Sequence, residues 1–483
     1  MKWFIAVIAA VLMFSAASFA ATPTFNKDIA PILYQQCATC HRPGEVAPFS
    51  LLTYQDAAKR AKLIASVTER RYMPPWKPEP GYGNFAYARR LTDAQVAMIR
   101  EWAENGTPEG DPADKPSQPA FADGWQSGKP DQILTMPSKY ALEAEGADQY
   151  RCFVFQLNLD HDAYVKALEF RPENRRIVHH ALVFVDTQGA ARKRAGSDGS
   201  YQCFGGAGIP GVALIGGWAP GAVPPPPSED YARPVPQGSD IVVQIHYHPS
   251  GKAEVDQSSL GLSFSGPPKK GRTAAMVIGG RIDIPPGDDH YVVKGQLVLT
   301  RDVDVVGISP HAHYLGKDMK VTAHLPDGTT VPMLWIKDWD FNWQGSYQYQ
   351  KPIALPKDTK IDLEYVFDNS EKNPRNPSHP PVRVRWGEQT TDEMALAFLG
   401  VALPTPQQAQ EFGREISPQY LEAFIYEGLR LDNLPTEVTS NQRLVQALRL
   451  FDRNGNGVLD ADERAALLGV LRGGPGQSER REE

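Results

Sequence analysis

Apolar and polar positions alternate in different ways along three stretches of the chain. In residues 22–115, apolar side chains recur at helical spacing, for example at Ile99 and Trp102. Thr92 and Gln95 precede that pair in the pattern of a capping box, which opens helices. We therefore predict a helical domain over residues 22–115.

The central stretch, from about residue 131 to residue 413, has the sequence pattern of β-strands. After a linker rich in proline, aspartate, glycine and serine, apolar runs such as Ile177–Val185, Ile241–Tyr247 and Val303–Ile308 alternate with glycine and proline. Helical periodicity is scarce until about residue 406, and the intervening length of about 280 residues is too great for one ordinary sandwich. We predict two all-β sandwiches, at residues 131–266 and 267–413.

The last stretch returns to helical periodicity and contains a calcium-type loop. Residues 452–463 place oxygen ligands at positions 1, 3, 5 and 9, glycine at position 6 and glutamate at position 12, as EF-hand loops do. We predict a small helical EF-hand segment over residues 414–472, with one stabilising calcium ion; the alternative is a degenerate loop that only packs. The predicted ligands are Asp452, Asn454, Asn456, the Val458 carbonyl, Asp460 and Glu463.

Charge and the first residues narrow the class of protein. The net charge of −7 argues against a nucleic-acid partner, since proteins that bind nucleic acids usually carry a basic face.

Lys2, a short apolar run and Ser18-Phe19-Ala20 predict a signal peptide at residues 1–20, with an uncleaved anchor as the alternative. No later run is long and apolar enough to predict a membrane span. We expect an exported, periplasmic chain.

A haem attachment motif lies in the predicted helical domain. In Cys37-Ala38-Thr39-Cys40-His41, the two thiols have the spacing that bonds the haem vinyl groups, and the histidine would ligate the iron. Chance or a zinc site is the alternative. Met73, in a proline-fixed loop, is the predicted ligand on the opposite face, and Met98 is its rival. The prediction is an all-α cytochrome c domain with one covalent haem c, bound by Cys37, Cys40, His41 and Met73.

Histidine clusters and one methionine in the β region have the ligand types of a copper protein. His311 and His313 are two residues apart, so on a strand both imidazoles point to one face and can reach one metal ion. Met394, on another predicted strand, would add a soft thioether, which favours copper(I). This set would leave a coordination position open for dioxygen.

A second histidine set precedes the first along the chain. His179 and His180 are adjacent, so joint ligation of one ion needs a bulge, a strand end or the use of two different ring nitrogens. A third imidazole would come from His246 or His248, and their spacing alone does not decide between them. A site with three histidines would hold an electron and react less readily with oxygen.

Four segments resemble, in residues and in order, the copper type II, ascorbate-dependent monooxygenase family, which includes peptidylglycine α-hydroxylating and dopamine β-monooxygenases: Val178–Phe184, Gln244–Tyr247, His311–Lys317 and Thr391–Met394. The likeness covers about residues 131–405. It implies two β-sandwiches of jelly-roll type with one copper each. Cys152 and Cys203, which an oxidising compartment would allow to pair, flank the first histidine pair much as a disulfide of that family does.

The resemblance also implies roles for the ligands. His179, His180 and His246 would bind an electron-storing copper, and His311, His313 and Met394 the copper at which dioxygen reacts. We therefore predict a copper-dependent monooxygenase that hydroxylates a C–H bond of a small organic substrate. The alternatives are a non-catalytic haem and copper electron-transfer or copper-binding protein, and a β-sandwich scaffold whose histidines bind no metal.

Two departures from the family bear on substrate and electron supply. Peptide-hydroxylating members hold the peptide carboxylate with an arginine, an asparagine and a tyrosine, where this chain has Ser309, Leu396 and Phe398. We therefore expect a more apolar or neutral substrate than a glycine-extended peptide. The fused haem implies that electrons arrive from an external donor through the haem, rather than from ascorbate; the alternative is that the haem serves another partner.

Overall fold

The computed structural model of the chain describes residues 22–471 except 44, 46, 122–124, 204–205, 210, 221, 223, 225–226, 273–275, 388, 426–428, 433 and 435–441. The chain divides into two compact units. Unit 1 consists of Met1–Pro74 and Arg89–Pro119, and unit 2 of Pro75–Ala88 and Ala120–Glu483. The signal peptide predicted at residues 1–20 lies outside the described residues.

Unit 1 is built from short helical segments around a small apolar core. Phe25, Leu33 and Trp102 are fully buried in that core. The capping box predicted from Thr92 and Gln95 is present at the start of the longest helix. The segments are a π-helical turn at Phe25–Ile29, α1 at Ala30–Gln36, α2 at Tyr54–Ala58, α3 at Ala61–Glu69, α4 at Asp93–Glu104 and a 3₁₀ turn at Pro112–Asp114.

The predicted fold class is wrong. The chain is mostly β-sandwich, with 33% strand and 18% helix, and no large all-α cytochrome c domain is evident. Helical spacing between residues 22 and 115 yields helices of at most 12 residues, separated by turns and loops. Moreover, Pro75–Ala88 pack within unit 2: Phe85 stacks on Tyr349 with ring centroids 5.0 Å apart.

The first β region of unit 2 packs two antiparallel sheets around one core, which contains Phe153, Val183 and Leu260. The strands are β1 Gln132–Thr135, β2 Tyr140–Leu142, β3 Gln149–Gln156, β4 Ala163–Arg171, β5 Val178–Asp186, β6 Ser200–Gln202, β7 Val212–Trp218, β8 Arg233–Val235, β9 Asp240–Tyr247, β10 Glu254–Asp256 and β11 Ser259–Ser265; a short helix, α5, covers Ala190–Arg194. One sheet has the order β6-β3-β9-β5-β7, the other β1-β11-β4-β8, and β10 pairs with β2. A disulfide joins Cys152 of β3 to Cys203, just after β6.

The second β region repeats the two-sheet plan around another core, which contains Val305, Val321 and Tyr365. Its strands are β12 Gly271–Arg272, β13 Met276–Gly279, β14 Asp283–Ile284, β15 Tyr291–Val298, β16 Val303–His311, β17 Gly316–His324, β18 Thr330–Ile336, β19 Tyr347–Leu355, β20 Lys360–Phe367, β21 Val384–Arg385 and β22 Leu396–Leu403. One sheet has the order β12-β22-β16-β19 with β13 also paired to β22, the other β15-β20-β17-β18, and β14 pairs with β21.

The described residues of the C-terminal part of unit 2 form three helices and one short strand pair. This part contains α6 Pro406–Phe424, β23 Leu429–Arg430, α7 Gln442–Phe451, β24 Val458–Leu459 and α8 Ala461–Leu471. Strand β23 pairs with β24. None of the helices that the structure describes has the length and apolar character needed to cross a membrane.

Candidate metal centre

His179, His180 and His246 converge where β5 begins and β9 ends in the first sandwich. His180 pairs with His246 across β5 and β9, and the register shifts between Val178 and His180. The shift is a bulge, and it lets the two adjacent histidines face the same site. The three residues each offer a ring nitrogen, and these atoms all lie within 4.8 Å of one another.

The spacing of the ring nitrogens fits a single metal ion. The Nδ1 atom of His180 lies 3.3 Å from the Nδ1 atom of His179 and 3.3 Å from that of His246. Two nitrogens that each bind one ion at about 2.0 Å in a tetrahedral arrangement are separated by about 3.3 Å. This chemistry of three neutral imidazoles suits copper or zinc. We name the three residues the triad.

The triad is held in the neutral form that metal binding needs. Loss of solvent around the rings lowers the pKa of His179 and His180 well below the ordinary value, and repulsion from His246 lowers it further. The same desolvation lowers the pKa of His246, although Asp148 partly opposes it. Since a protonated imidazole cannot ligate, these shifts favour a ligand-ready site at neutral pH.

Asp148 supports the triad, and sequence reasoning missed it. Its Oδ2 atom lies 3.1 Å from Nε2 of His246, and its Oδ1 atom lies 2.6 Å from Nδ1 of His248. Burial would raise the pKa of Asp148, but contact with these two histidines lowers it well below the usual range. The carboxylate therefore touches the ring nitrogen of His246 opposite Nδ1, the geometry by which such groups orient metal ligands.

The same contacts decide between the two candidate third ligands. His246 is buried and turns Nδ1 toward His180, whereas His248 is half exposed and turns Nδ1 toward Asp148. The structure thus brings His246 together with His179 and His180. His248, the other candidate for the third ligand, lies outside this group.

His311 and His313 form a second set in the other sandwich. His311 ends β16, and the two rings have centroids 5.3 Å apart. Nδ1 of His311 lies 2.6 Å from Oε1 of Gln344, and Nδ1 of His313 lies 3.0 Å from the carbonyl oxygen of Asp392. A proton on each Nδ1 can serve these acceptors, which leaves each Nε2 with its lone pair for a metal.

Burial keeps this second set neutral as well. It lowers the pKa of His311 to about 4 and that of His313 to about 3. For His311, contact with Gln344 partly opposes the shift. Both rings are therefore neutral across the physiological range.

Glu393 ties the second set to Met394. The carboxylate is fully buried and accepts hydrogen bonds from the backbone N–H groups of His313 and Leu315 at 2.7 Å and of Met394 at 3.0 Å. Burial raises the pKa of Glu393 to about 8, although these hydrogen bonds oppose the shift. One side chain thus fixes the backbone of both His313 and Met394.

The side chain of Met394 packs against the C-terminal helical part of unit 2. It is buried in an apolar cluster with Ile425, Leu429, Leu448 and Leu467 of the C-terminal helical part. The register pairs His311 with Leu396, and the backbone N–H groups of His313 and Met394 both donate to the Glu393 carboxylate. The backbone position therefore suits joint ligation, while the thioether lies among apolar side chains.

The haem motif forms a turn after α1. Cys37 follows the helix, and Cys40 and His41 complete the turn. Burial raises the pKa of the Cys37 thiol to about 12 and lowers that of His41. Nδ1 of His41 lies 3.1 Å from the carbonyl oxygen of Phe49, which leaves Nε2 as the available ligand atom. Covalent attachment of a haem at these residues stays a prediction.

The two candidate methionines of unit 1 differ in position. Met73 is half-buried, after α3, and precedes a cis proline at residue 74. Met98 lies within α4 and packs against the apolar core of unit 1. Core packing accounts for Met98, so Met73 stays the predicted haem ligand.

The calcium-type loop folds around its acidic side chains. The carboxylate of Glu463 accepts backbone N–H groups from Arg453 at 2.7 Å and Asp460 at 3.0 Å. Gly457, at position 6, has a φ of 74°, which glycine adopts without strain. Strand β24 of this loop pairs with β23, a partner that the sequence analysis did not find because its segment lacks the acidic pattern.

Comparison with known proteins leaves the chain without an assigned family. No protein-family model matches it, and neither does any curated protein. Among solved structures, PNGF-II in a P21 crystal form has a TM-score of 0.20 and 11% identity, over 59% of this chain and 63% of that one. Peptide:N-glycanase F has a TM-score of 0.17 and 10% identity, over 59% of this chain and 91% of that one. The chain spans less than two thirds of the PNGF-II chain, and similarity this low carries no argument.

Proposed function

We propose that this chain is a copper-dependent monooxygenase, which hydroxylates a C–H bond of a small organic substrate with dioxygen. The observation that carries the proposal is the meeting of three Nδ1 atoms in the triad, beside a second set of neutral histidines. Copper, when bound, would supply one-electron redox chemistry and activate dioxygen. The resemblance of the four ligand-bearing segments to copper type II monooxygenases supports this choice of metal.

The side chains around each set have distinct tasks in this proposal. The triad holds the electron-storing copper, with Asp148 orienting His246. Gln344 and the Asp392 carbonyl orient His311 and His313, so that both present Nε2 to the second copper. Met394 supplies the third ligand of that copper, since its three rotatable side-chain bonds allow the thioether to turn from the apolar cluster.

The neighbourhood of the second set favours a neutral substrate. Ser309 pairs with Phe398, two residues along the strands from the pair of His311 and Leu396. The Ser309 hydroxyl is engaged with the hydroxyl of Ser346 at 2.8 Å. These positions offer no cation for a carboxylate, so we propose an apolar or uncharged substrate class.

Two further groups belong to the proposal. A covalent haem c, bound through Cys37, Cys40 and His41 with Met73 on the opposite face, would accept electrons from an external donor and supply the coppers. A calcium ion in the loop at residues 452–463 would stabilise the C-terminal part. Export to the periplasm, which the N-terminal sequence predicts, would provide the oxidising compartment that suits the disulfide between Cys152 and Cys203.

A non-catalytic haem and copper electron-transfer protein is the second candidate. The packing of the Met394 side chain among apolar residues favours it, because a second copper without the thioether would lack one proposed ligand. The experiment is to measure dioxygen uptake by the copper-loaded holoprotein with a panel of neutral organic substrates. Uptake that requires a substrate and falls in Met394→Ala supports the monooxygenase. Full copper content with no substrate-dependent uptake supports the second candidate.

A further inference from the structure

A single buried ring lies between the two histidine sets. Phe341 stacks on His179 of the triad, with ring centroids 4.5 Å apart and an interplanar angle of 22°. The same ring meets His313 of the second set edge-on, with centroids 5.5 Å apart and an angle of 74°. The rings of His179 and His313 therefore lie at most about 10 Å apart.

The loop that carries Phe341 is anchored to the second set. Trp339, which is fully buried, donates its indole N–H to the carbonyl oxygen of His313 at 3.1 Å. Gln344, three residues after Phe341, contacts His311. The ring of Tyr314 also packs on Phe341, with centroids 4.6 Å apart. The position of Phe341 is thus fixed by contacts before and after it.

Phe341 is a buried aromatic residue whose ring contacts include histidines of both sets. Phe341 belongs to neither apolar core of the two sandwiches, yet only 3% of it is exposed. Two of its ring contacts are the imidazoles of His179 and His313, which are predicted ligands of different ions. Its ring thus contacts one imidazole of each histidine set.

We infer that Phe341 is the positioning residue that carries electronic contact between the two predicted copper centres, an inference that rests on the proposed function. Packed atoms in van der Waals contact transmit an electron better than a water-filled gap of equal length. In this step one electron would pass from a copper held by the triad, which would be oxidised, to a copper held by the second set, which would be reduced. No bond forms or breaks, and dioxygen is the final oxidant.

The test compares variants of the full, copper-loaded protein. Phe341→Leu removes the ring but stays apolar, Phe341→Tyr keeps the ring, and Phe170→Leu is a control in the core of the first sandwich. Copper content and the copper(II) electron paramagnetic resonance spectrum report whether both sites remain loaded. Half an equivalent of dithionite then reduces the oxidised protein, and freeze-quench spectra follow the redistribution of the electron between the coppers.

The expected result is a redistribution rate at least about tenfold lower in Phe341→Leu, with both coppers and their spectra retained. Phe341→Tyr and Phe170→Leu are expected to redistribute at the wild-type rate. An unchanged rate in Phe341→Leu overturns the inference and leaves the proposed function intact. Loss of copper from both Phe341 variants also overturns it, because the side chain would then only hold ligands. A wild-type protein that binds no copper overturns the proposed function itself.

Discussion

The buried carboxylate of Glu393 accepts a hydrogen bond from the backbone N–H of His313 at 2.7 Å. The same carboxylate accepts the N–H groups of Leu315 and Met394. Two segments that are 80 residues apart in the chain therefore depend on one side chain for their relative position. This contact links the strand that carries the second histidine set to the residue predicted to complete it.

Removing that carboxylate should loosen the second set. Glu393→Ala leaves three buried N–H groups without their acceptor, so we expect the free energy of unfolding to fall by about 3 kcal/mol or more. Glu393→Gln keeps one acceptor oxygen, so its free energy of unfolding should fall less than that of Glu393→Ala. Chemical denaturation of both variants checks the order. Equal stability of Glu393→Ala and wild type would show that the hydrogen bonds contribute nothing.

Asp148 should set the copper affinity of the triad. Asp148→Asn removes the negative charge beside Nε2 of His246, and losses of this kind typically cost about 10–100-fold in metal affinity. His248→Ala is the matched control, since His248 contacts the same carboxylate but lies outside the triad. Competition with a chelator measures the copper affinities of Asp148→Asn and His248→Ala. The role of Asp148 would be refuted if Asp148→Asn bound copper as tightly as His248→Ala.

Calcium should stabilise the C-terminal part through Glu463. A ligand present at 100 times its Kd stabilises the folded state by about 2.7 kcal/mol, so the melting temperature should rise when calcium is added. Glu463→Gln should abolish the rise, because this side chain holds the predicted position 12. Asp462→Asn is the control, because Asp462 is the exposed residue just before Glu463, and its melting temperature should rise with calcium as in the wild type. A calcium response that survives in Glu463→Gln would place the ion elsewhere.

The ion pair of Asp283 and Arg383 should give a pH-dependent contribution to stability. Hydrogen bonds from Arg383 lower the pKa of Asp283 in the folded state. A depressed carboxyl pKa contributes stability that is fully present above the unfolded value of 3.8 and is lost as the pH falls through the folded value. Because the pair is partly exposed, we expect at most about 1 kcal/mol.

A double-mutant cycle isolates this contribution. It uses Arg383→Met, Asp283→Asn and the double variant, each unfolded by denaturant at neutral pH and in acid. The coupling between the two positions should be present at neutral pH and vanish in acid. A coupling that grew stronger in acid would contradict the direction of the shift.

Local sequence patterns located part of this architecture. The apolar runs at Ile177–Val185, Ile241–Tyr247 and Val303–Ile308 largely coincide with β5, β9 and β16. The bulge that His179 and His180 need, if they are to face one site, is present in the structure. Periodicity and spacing act over a few residues, so they are reliable on that scale.

Contacts between distant segments were not predictable. Asp148 is far in sequence from His246, and no spacing rule connects them. Phe341 has the composition of any core aromatic, and only the fold sets it between His179 and His313. The predicted all-α domain over residues 22–115 was wrong for a similar reason, because Phe85 packs on Tyr349, a residue of the second sandwich.

Copper stoichiometry of paired variants tests the central claim most directly. Elemental analysis of purified, copper-loaded protein should find about two coppers per chain, as two separate ligand sets require. His246→Ala and His313→Ala should each lose about one copper, whereas His248→Ala should keep both. Absence of bound copper from the wild-type protein, or full retention by His246→Ala and His313→Ala, would contradict the account.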